Sequence, residues 1–403
     1  MKFIGISLII NKSGILILFM TSPFEQGKQR GLVERKAIRH RLAEIYKVLE
    51  FFEMEKEILL KIDENKLKYV PERYLEECRG IAEGAGVKYE EIIALNYALM
   101  FYQLFRDGCT AFIIPKNYST DGSVMLLKNR DLGFRRLHPQ VLSYSRLDGY
   151  NSFIGITSAG SVCWYQGVNE KGLVAFNTAT PCQIIDPTRA QGMSISTIIR
   201  RILEECNSVD DALKFISNTE YNACSNLFLA DYERAVIIEL KAGFSPYIWE
   251  ISEPDCRSNH YLFHINPEVK DKMEILVRQQ TLTRYARGKM LLKMKEKISL
   301  EDLIKISRDH FSGPGPSSIC RHPPIVGSPL MRIMSSTTLS AQIFKLGEKI
   351  ETYVALGYPC QSEFIRLEFG DEIPEALASG EAWLNQYKQQ IRQKYSSTPP
   401  FSQ

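Results

Sequence analysis

The feature that most constrains the fold is a change of pattern at Gly108-Cys109, within the stretch FRDGCTAFIIPKNYSTDGSVMLLKNRD. Before this point, apolar residues recur at spacings of three and four, which is typical of amphipathic helices. After it, short runs of β-branched and aromatic residues are separated by turn pairs such as Asp-Gly, which is typical of antiparallel strands. The pattern therefore predicts a helical first part followed by sheets, with a cysteine at the start of the first strand.

The part before Gly108 is predicted to be helical after an opening hairpin. Residues 1–20 hold two β-rich runs around NKSG, and this favours a hairpin over a signal peptide because polar residues interrupt the apolar run. The sequence SPFE resembles a capping box with proline in the first turn, which predicts a helix to about Glu53. Two more helices are predicted over RYLEECRGIAEGAG and YEEIIALNYALMFYQLF.

The part after Gly108 alternates blocks of strands with blocks of helices. Strand patterns occur in TAFIIP, SVMLLKNRD, QVLSYSRL, SFIGITS, VCWYQG, LVAFNT, NLFLAD, AVIIEL, YIWEIS, HYLFHI, TTLSAQIFKL and IETYVALG. Helical patterns occur in MSISTIIRRILEECN, VDDALKFISN, MEILVRQQTLTRYARGKMLLKMK and SLEDLIKISRDHF. Because no βαβ rhythm is present, we predict the α+β class, as one composite domain of layered sheets covered by helices. Residues 395–403 of the polar tail are predicted to be disordered.

Charge and cysteine usage argue against several classes of protein. The chain has 50 basic and 47 acidic residues, and its densest basic run, GKQRGLVERKAIRHR, is interleaved with glutamates at helical spacing. We therefore expect a solvated helix face and neither a nucleic-acid partner nor a membrane partner. The nine cysteines are scattered without a C-x-x-C pair, which favours a reducing compartment, and no apolar stretch is long enough to span a membrane. We expect a cytoplasmic protein.

Cys109 is the candidate nucleophile, although the residues around it also fit a plain glycine turn. A cysteine attacks as a thiolate and needs a base or a lowered pKa. If the Gly108-Cys109 bond were cut, the α-amino group of Cys109, with an ordinary pKa of about 7.7 to 8.0, could serve as that base. Glycine at the preceding position gives the sulfur access to the carbonyl that it would attack. Taken alone, this pair of residues favours the turn.

The wider set of motifs changes that balance. Eight short motifs occur in order along the chain: SPFEQGKQRG, RDGCT, KNRD, GVNEKGLVAFNT, SNLFLAD, SNHYL, TLTR and SSICRHP. Together they resemble the acyl-coenzyme A:6-aminopenicillanic acid acyltransferase family (isopenicillin N acyltransferase-like), within the cysteine branch of the N-terminal-nucleophile (Ntn) hydrolases. The resemblance covers about residues 18 to 370 and implies a four-layer αββα sandwich with two antiparallel sheets between helical layers.

The resemblance implies roles for three positions near the junction. Cys109 matches the nucleophile, which is exposed when the precursor cleaves itself after Gly108 into an N-terminal chain, 1–108, and a catalytic chain, 109–403. Asp131 of KNRD matches the aspartate that orients the new α-amino group, and a turn-forming aspartate is the alternative. The N-terminal chain would remain bound after cleavage. Lys128 or Arg130, which flank Asp131, could bind a substrate carboxylate.

Three further positions would complete the site. Asn259 of SNHYL matches the asparagine whose amide, with the region of Asn177, would form the oxyanion hole. Arg284 of TLTR matches an arginine that would hold Asp131 or favour the thiolate; an exposed helix arginine is the alternative. The family's usual H-T-N-H motif is altered here, so Asn266 and Asn226 remain rivals of Asn259.

The function implied is attack on a carbon-nitrogen amide bond through an acyl-enzyme thioester. Hydrolysis of a small N-acyl amide, such as an N-acyl amino acid, is the first choice, and transfer of an acyl group from acyl-coenzyme A or an amide to an amine is the alternative. A non-catalytic binding protein of the same fold is a second alternative, and a thiol redox protein is disfavoured by the lack of a resolving cysteine nearby. The partner is a small-molecule amide or acyl thioester, and a homo-oligomer is left open.

We expect no cofactor and no metal. Asp309-His310 and Cys320-Arg321-His322 hold metal-capable residues, but Cys-x-His is not a usual zinc spacing. We therefore interpret this segment as a helix end followed by a Gly-Pro-rich loop that borders the substrate cleft.

Overall fold

The computed structural model describes residues 22–62, 64–98, 107–180, 191–264, 275–311, 313–324 and 328–396. The predicted hairpin in residues 1–20 lies outside these ranges, as do residues 397–403 of the tail. No helix within the described ranges is both long and apolar enough to cross a membrane.

The helices and strands are numbered in chain order. The helices are α1 (Pro23–Phe51), α2 (Glu64–Leu67), α3 (Glu72–Ala85), α4 (Tyr89–Tyr97), α5 (Ile195–Glu205), α6 (Val209–Ser217), α7 (Ile275–Lys293), α8 (Leu300–Ser307), α9 (Pro329–Met334), α10 (Glu375–Ala378) and α11 (Glu381–Ser396). The strands are β1 (Asp107–Ile114), β2 (Val124–Leu132), β3 (Gln140–Ser145), β4 (Phe153–Ser158), β5 (Gln166–Asn169), β6 (Val174–Ala179), β7 (Cys224–Ala230), β8 (Ala235–Lys241), β9 (Tyr247–Glu250), β10 (Asp255–Arg257), β11 (Thr337–Leu346), β12 (Ile350–Leu356) and β13 (Ile365–Glu368).

The strands form two antiparallel sheets. Sheet I has the order β10-β1-β2-β11-β12-β13, and sheet II has the order β3-β4-β5-β6-β7-β8-β9. Side chains alternate between the two faces of each strand, so Ile113 of β1 and Phe228 of β7 lie in the core between the sheets. Phe112 faces α7 and α8, whereas Leu227 faces α5 and α6. These three cores define four layers, αββα, and confirm the predicted fold.

Helices α1 and α3 cross with their backbones in contact. Ser22 caps α1 by accepting a hydrogen bond from Glu25 N at 3.2 Å, and Pro23 occupies its first turn, as the capping box predicted. A Cβ atom built at any of four glycines would overlap a backbone carbonyl oxygen of the other helix; these are Gly27 and Gly31 of α1, and Gly80 and Gly84 of α3. The glycine pairs at i, i+4 thus set the distance between the two helices.

A buried ion network joins residues from both sides of the Gly108-Cys109 junction. Glu77 of α3 accepts hydrogen bonds from Arg30 of α1 at 2.8 Å and from Arg200 of α5 at 2.5 Å. Arg200 also donates to Glu204 at 2.8 Å, and Arg30 donates to Ser161 O at 3.0 Å. Glu77 and Arg200 are fully buried. The helical N-terminal part is therefore attached to the layered core by ion pairs that are buried from water.

Two predicted strands take a different form because side chains satisfy their backbone. HYLFHI is irregular from Ser258 to His264, after the short strand β10. There the carboxylate of Glu239 accepts hydrogen bonds from the backbone nitrogens of 262–264. VCWYQG begins its strand only at Gln166, because Asn96 Oδ1 accepts from the backbone nitrogens of 162 and 163. Backbone groups bound in this way cannot join a ladder.

Two smaller differences concern the tail and a cysteine. Helix α11 continues to Ser396, two residues into the segment predicted to be disordered. Cys224, at the start of β7, is disulfide-bonded, which departs from the expectation of scattered thiols.

Candidate active site

The pairing of β1 with β2 places the candidate nucleophile beside Asp131. Gly108 is opposite Asp131 and Cys109 is opposite Arg130 in the antiparallel register. Cys109 is 5% exposed and Asp131 is fully buried. The bond proposed for cleavage thus lies at the start of β1, next to the carboxylate of Asp131 that was predicted from the sequence.

Asn259 directly contacts the backbone of Cys109. Cys109 N donates to Asn259 Oδ1 at 3.0 Å, and Arg284 Nη2 donates to the same oxygen at 2.8 Å. The amide nitrogen of Asn259 donates to Ala179 O at 2.7 Å. Because two partners can only donate and the third can only accept, the orientation of this amide is determined by its contacts. The oxygen of Asn259 therefore faces Cys109 N, whereas the family resemblance implied that its amide donor serves the site.

Arg284 lies on α7 and bridges three groups of the site. Its Nη1 donates to Cys109 O at 2.6 Å and to Thr110 Oγ1 at 2.8 Å, and it lies 3.9 Å from Asp131 Oδ2. The side chain is 2% exposed, so it is not the exposed helix arginine of the alternative interpretation. Burial, reinforced by the nearby Arg321, lowers the pKa of Arg284 to about 9.

Asp131 is held by one hydroxyl and two guanidinium groups. Thr338 of β11 donates to Asp131 Oδ1 at 2.7 Å. Arg321 Nη1 lies 3.8 Å from Oδ2, on the same oxygen as Arg284. Burial raises the pKa of Asp131 above its ordinary value, although both arginines act in the opposite direction. The carboxylate thus lies beside the Gly108-Cys109 bond without a short ion pair to either arginine.

Arg321 belongs to the site but was not selected from the sequence. Its segment was interpreted only as a loop that borders the cleft. In the structure, Arg321 N donates to Thr338 Oγ1 at 2.8 Å and Thr338 N donates to Arg321 O at 3.1 Å, which brings the guanidinium over Gly108. A Cβ atom at Gly108 would overlap Arg321 Nη1. The spacing of the motifs in the sequence does not predict this contact, because the loop is brought to Asp131 by its hydrogen bonds to Thr338 of β11.

The irregular segment that carries Asn259 is held by polar side chains. Asn259 N donates to Thr281 Oγ1 at 2.7 Å, and Asn226 Nδ2 donates to Ser258 O at 3.3 Å and to His260 O at 3.2 Å. Asn226, a rival of Asn259 in the sequence analysis, therefore supports the backbone on both sides of Asn259. Its other rival, Asn266, lies outside the described residues.

Asn177 is placed on the facing sheet. Its Nδ2 donates to Ser225 Oγ at 2.9 Å, and Lys128 Nζ donates to its Oδ1 at 3.4 Å. Lys128 also donates to Tyr165 O at 2.8 Å. Asn177 precedes by two residues Ala179, whose carbonyl accepts from Asn259. The end of β6 thus connects both candidate oxyanion residues.

Arg130 is a cation on the same face of sheet I as the candidate nucleophile, Cys109. Residues directly opposite in an antiparallel pair point to the same side of the sheet, so the side chains of Arg130 and Cys109 share a face. Arg130 Nη1 donates to Gln140 Oε1 at 2.9 Å and to Ser158 Oγ at 3.3 Å, and both acceptors are neutral. Its positive charge therefore has no carboxylate among its hydrogen-bond partners in the described residues.

Comparison with known proteins identifies one family and two curated relatives. The family model described as "Acyl-coenzyme A:6-aminopenicillanic acid acyl-transferase" matches residues 118–323, about half of the chain. Protein dcd1A of Dictyostelium discoideum is 27% identical over 175 residues, which are 39% of this chain and 37% of that protein. An uncharacterized protein of Archaeoglobus fulgidus is 22% identical over 228 residues, which are 49% of this chain and 38% of that protein. The matched region thus spans less than two fifths of the length of either relative.

Solved structures with similar chains include three hydrolases or acylases. A mutant conjugated bile acid hydrolase of Clostridium perfringens has a TM-score of 0.42 at 11% identity, covering 66% of this chain and 93% of that chain. An N-acylethanolamine-hydrolyzing acid amidase ortholog of Caenorhabditis elegans has a TM-score of 0.41 at 13% identity, covering 64% and 99%. Penicillin V acylase of Agrobacterium tumefaciens has a TM-score of 0.40 at 13% identity, covering 65% and 86%.

Proposed function

Because the chain belongs to the acyl-coenzyme A:6-aminopenicillanic acid acyl-transferase family, an enzyme family of acyl transfer at amide bonds, we propose that it is a self-cleaving cysteine amidohydrolase that uses Cys109 as its nucleophile. The observation that carries the proposal is the contact between Cys109 N and Asn259 Oδ1 at 3.0 Å. An acceptor already holds the nitrogen that cleavage would convert into an α-amino group. The proposed substrate is a small N-acyl amide with a carboxylate.

Self-cleavage would begin with attack of Cys109 Sγ on the carbonyl carbon of Gly108. The C–N bond breaks, the thiol proton passes to Cys109 N, and a thioester joins Gly108 to Cys109. Water then adds to the thioester carbonyl, which releases the Gly108 carboxylate and restores the thiol. Arg284 Nη1 holds Cys109 O at 2.6 Å and Asn259 holds Cys109 N, so the residue that must change its bonding is clamped on both backbone sides.

The mature site would repeat this chemistry on a substrate. The α-amino group of Cys109 takes the thiol proton, the sulfur adds to the acyl carbon, and the amino group returns the proton to the leaving amine. Water then hydrolyses the thioester. Asp131, beside the backbone at Gly108-Cys109, would balance the charge of the α-ammonium group. The remaining amide hydrogens of Asn177 and Asn259 are the proposed oxyanion donors, since each amide nitrogen donates only one hydrogen bond among the described residues.

The charge of the site favours a substrate with a carboxylate. Arg130 points to the same side of sheet I as Cys109 and binds neutral oxygens, and Arg284 and Arg321 share the single carboxylate of Asp131. A carboxylate on the amine half of the substrate would be attracted by this excess of positive charge. An N-acyl amino acid therefore fits the site better than a neutral amide.

One experiment tests cleavage and activity in the same preparations. Denaturing mass spectrometry of the 46.1 kDa protein should show two chains of roughly 12 and 34 kDa, because cleavage after Gly108 divides the 403 residues into 108 and 295. Cys109→Ala should remain whole and inactive, whereas the control Cys206→Ala, which changes a buried cysteine near α5, should be cleaved. An uncleaved wild type that hydrolyses N-acyl amino acids would exclude the mechanism with an α-amino base.

The substrate class is tested with matched pairs. Each N-acyl amino acid is assayed beside its methyl ester, with and without an added amine that could accept the acyl group. We expect Arg130→Gln to lower kcat/KM for the free acid about 10 to 100-fold, the usual value of a hydrogen bond to a charged group, and to leave the ester nearly unchanged. Equal loss on both members of a pair would contradict carboxylate binding by Arg130, and product transferred to the amine would favour the acyltransferase.

A further inference from the structure

Four side chains of types that bind metals, none of them Cys109, converge on one point. His310, Cys320, His322 and Cys360 each direct one ligand atom to this point, and these atoms all lie within 4.8 Å of one another. They come from three separate segments: the residues after α8, the loop 313–324, and the turn at Pro359–Gln361. Three of the four side chains are half-buried and Cys320 is buried.

Two distances within this cluster match those between ligands of a tetrahedral zinc ion. Zinc binds sulfur at about 2.3 Å and histidine nitrogen at about 2.0 to 2.1 Å, so two such ligands at a tetrahedral angle lie about 3.6 Å apart. Nε2 of His322 lies 3.5 Å from Cys320 Sγ and 3.4 Å from Cys360 Sγ. A set of two sulfurs and two imidazoles favours zinc over magnesium or calcium, which prefer oxygen ligands.

Hydrogen bonding alone accounts poorly for this arrangement. A ring nitrogen of a neutral imidazole has either one proton or one lone pair, yet two sulfurs approach the same Nε2 of His322. Nε2 of His310 is buried and has no hydrogen-bond partner in the described part of the chain. A shared cation would account for the approach of both sulfurs to Nε2 of His322, because these three atoms and a ring nitrogen of His310 would then bind the ion.

The rings and thiols are in a state that can bind an ion. His322 stacks on Tyr358 with ring centroids 4.1 Å apart, and His310 meets His322 edge-on at 4.9 Å. These contacts hold both imidazoles in place without using Nε2 of either ring. Cys320 and Cys360 carry thiols and are not disulfide-bonded to each other.

We propose that His310, Cys320, His322 and Cys360 bind a structural zinc ion that fixes the loop carrying Arg321 against the active site. Four protein ligands leave no open position for water or substrate, which is typical of structural zinc rather than catalytic zinc. Two of the ligands directly flank Arg321 in the chain, and Arg321 lies over Gly108 and 3.8 Å from Asp131. The third and fourth ligands attach this loop to α8 and to the turn after β12.

The spacing of the ligands explains why no metal is predicted from the sequence alone. Cys320 and His322 are separated by one residue, His310 lies ten positions before Cys320, and Cys360 lies thirty-eight positions after His322. The usual pattern of zinc fingers pairs ligands two to five residues apart. Here the fourth ligand is supplied by the fold, through the pairing of β11 with β12.

Metal analysis of the whole protein tests the proposal without an activity assay. Protein purified without a metal-affinity column should contain about one zinc ion per chain, measured by inductively coupled plasma mass spectrometry. Cys360→Ser and His310→Asn should each hold little zinc, whereas Cys206→Ala, with a buried cysteine far from the cluster in sequence, should hold as much as the wild type. Zinc-free wild type, or a Cys320–Cys360 disulfide found by peptide mapping, would overturn the proposal.

Two measurements on the wild type remain informative if a variant fails to fold. Cobalt exchanged into the site should give the visible absorption of tetrahedral cobalt with thiolate ligands. Removal of zinc by a chelator should speed hydrogen exchange in peptides from 313–324 and 357–361, and leave α5 and α6 unchanged. Equal exchange with and without zinc would contradict the role assigned to the ion in holding the Arg321 loop.

Discussion

At the scale of single residues, the orientation of Asn259 is the most informative detail. Its oxygen accepts from Cys109 N and from Arg284, while its nitrogen donates to Ala179 O. An oxygen that accepts from a backbone N–H can also accept from an ammonium group or an amine N–H at the same place. The contact therefore suits the chain before and after the proposed cleavage, and no rearrangement of Asn259 is needed between the two states.

The role of Arg284 can be tested through pH. Burial and the neighbouring Arg321 lower the pKa of Arg284 to about 9. A lysine starts from a pKa of about 10.4 instead of at least 12.5, so in the same surroundings the pKa of a lysine at this position would lie below that of Arg284. Arg284→Lys would then lose its charge at a lower pH than the wild type, which keeps its charge up to about pH 9.

We therefore expect the ratio of kcat/KM between Arg284→Lys and wild type to fall as the pH rises from 6 toward 9. Where the lysine has lost its charge and Arg284 keeps its own, the loss should be about 10 to 100-fold, the cost of one hydrogen bond from a charged donor. Arg287→Lys is the matched control, because Arg287 is on the same helix and pairs with Asp309 at 2.7 Å, away from Cys109. A ratio that does not change with pH would show that kcat/KM does not depend on the charge of residue 284.

At the scale of elements, the crossing of α1 and α3 depends on glycine. Alanine favours a helix over glycine by about 1 kcal/mol, so Gly31→Ala would stabilise α1 if the helix were isolated. In the structure, a Cβ atom at Gly31 would overlap Ile81 O and lie 2.9 Å from Ala85 N. Backbone atoms cannot move aside as a side chain can, so we expect the steric effect to win.

Gly31→Ala should lower the free energy of unfolding by about 1 to 3 kcal/mol, the usual cost of an overpacked contact. Urea unfolding measures this change, and Gln29→Ala, at an exposed position of the same helix, is the control that reports propensity alone. Equal or greater stability of Gly31→Ala would mean that the two helices can separate at little cost.

Elements with clear periodicity were predictable from the sequence, and those held by side-chain contacts were not. The short runs of apolar residues in β1 and β2 and the capping box before α1 needed only local information. The irregular backbone after Asn259 could not be predicted, because the carboxylate that accepts hydrogen bonds from its backbone nitrogens belongs to Glu239, more than twenty residues earlier. For the same reason Arg321 and Thr338 were missed, since both reach Asp131 from distant parts of the chain.

At the scale of the whole molecule, Glu77 joins the N-terminal helices to the layered core. Burial by itself raises the pKa of Glu77, but Arg200 and Arg30 outweigh it and hold the pKa below 4.5. The ionised carboxylate therefore stabilises the fold above about pH 4.5, and this contribution is lost as the pH falls through the lowered pKa of the folded state. Removing the charge also leaves Arg30 and Arg200 without their shared partner.

Glu77→Gln should lower the free energy of unfolding at pH 7 by about 3 to 5 kcal/mol, the usual cost of breaking a buried ion pair. The difference from wild type should narrow below pH 4.5, where the carboxylate of the unfolded wild type is protonated, and should narrow further as the pH falls through the lowered pKa of the folded state. Glu72→Gln is the control, because it removes an ion pair of the same helix whose side chains are 47% and 64% exposed, and such pairs contribute little. Equal effects of the two substitutions would contradict the structural role of the network.

The ion network around Glu77 has a further consequence for how the protein would unfold. Its members lie on both sides of Cys109, at 30 and 77 before it and at 200 and 204 after it. Once the chain is cut, these charges would join two molecules instead of two parts of one. Unfolding would then change from a unimolecular reaction to one that releases two products, and the stability of the mature protein would depend on its concentration.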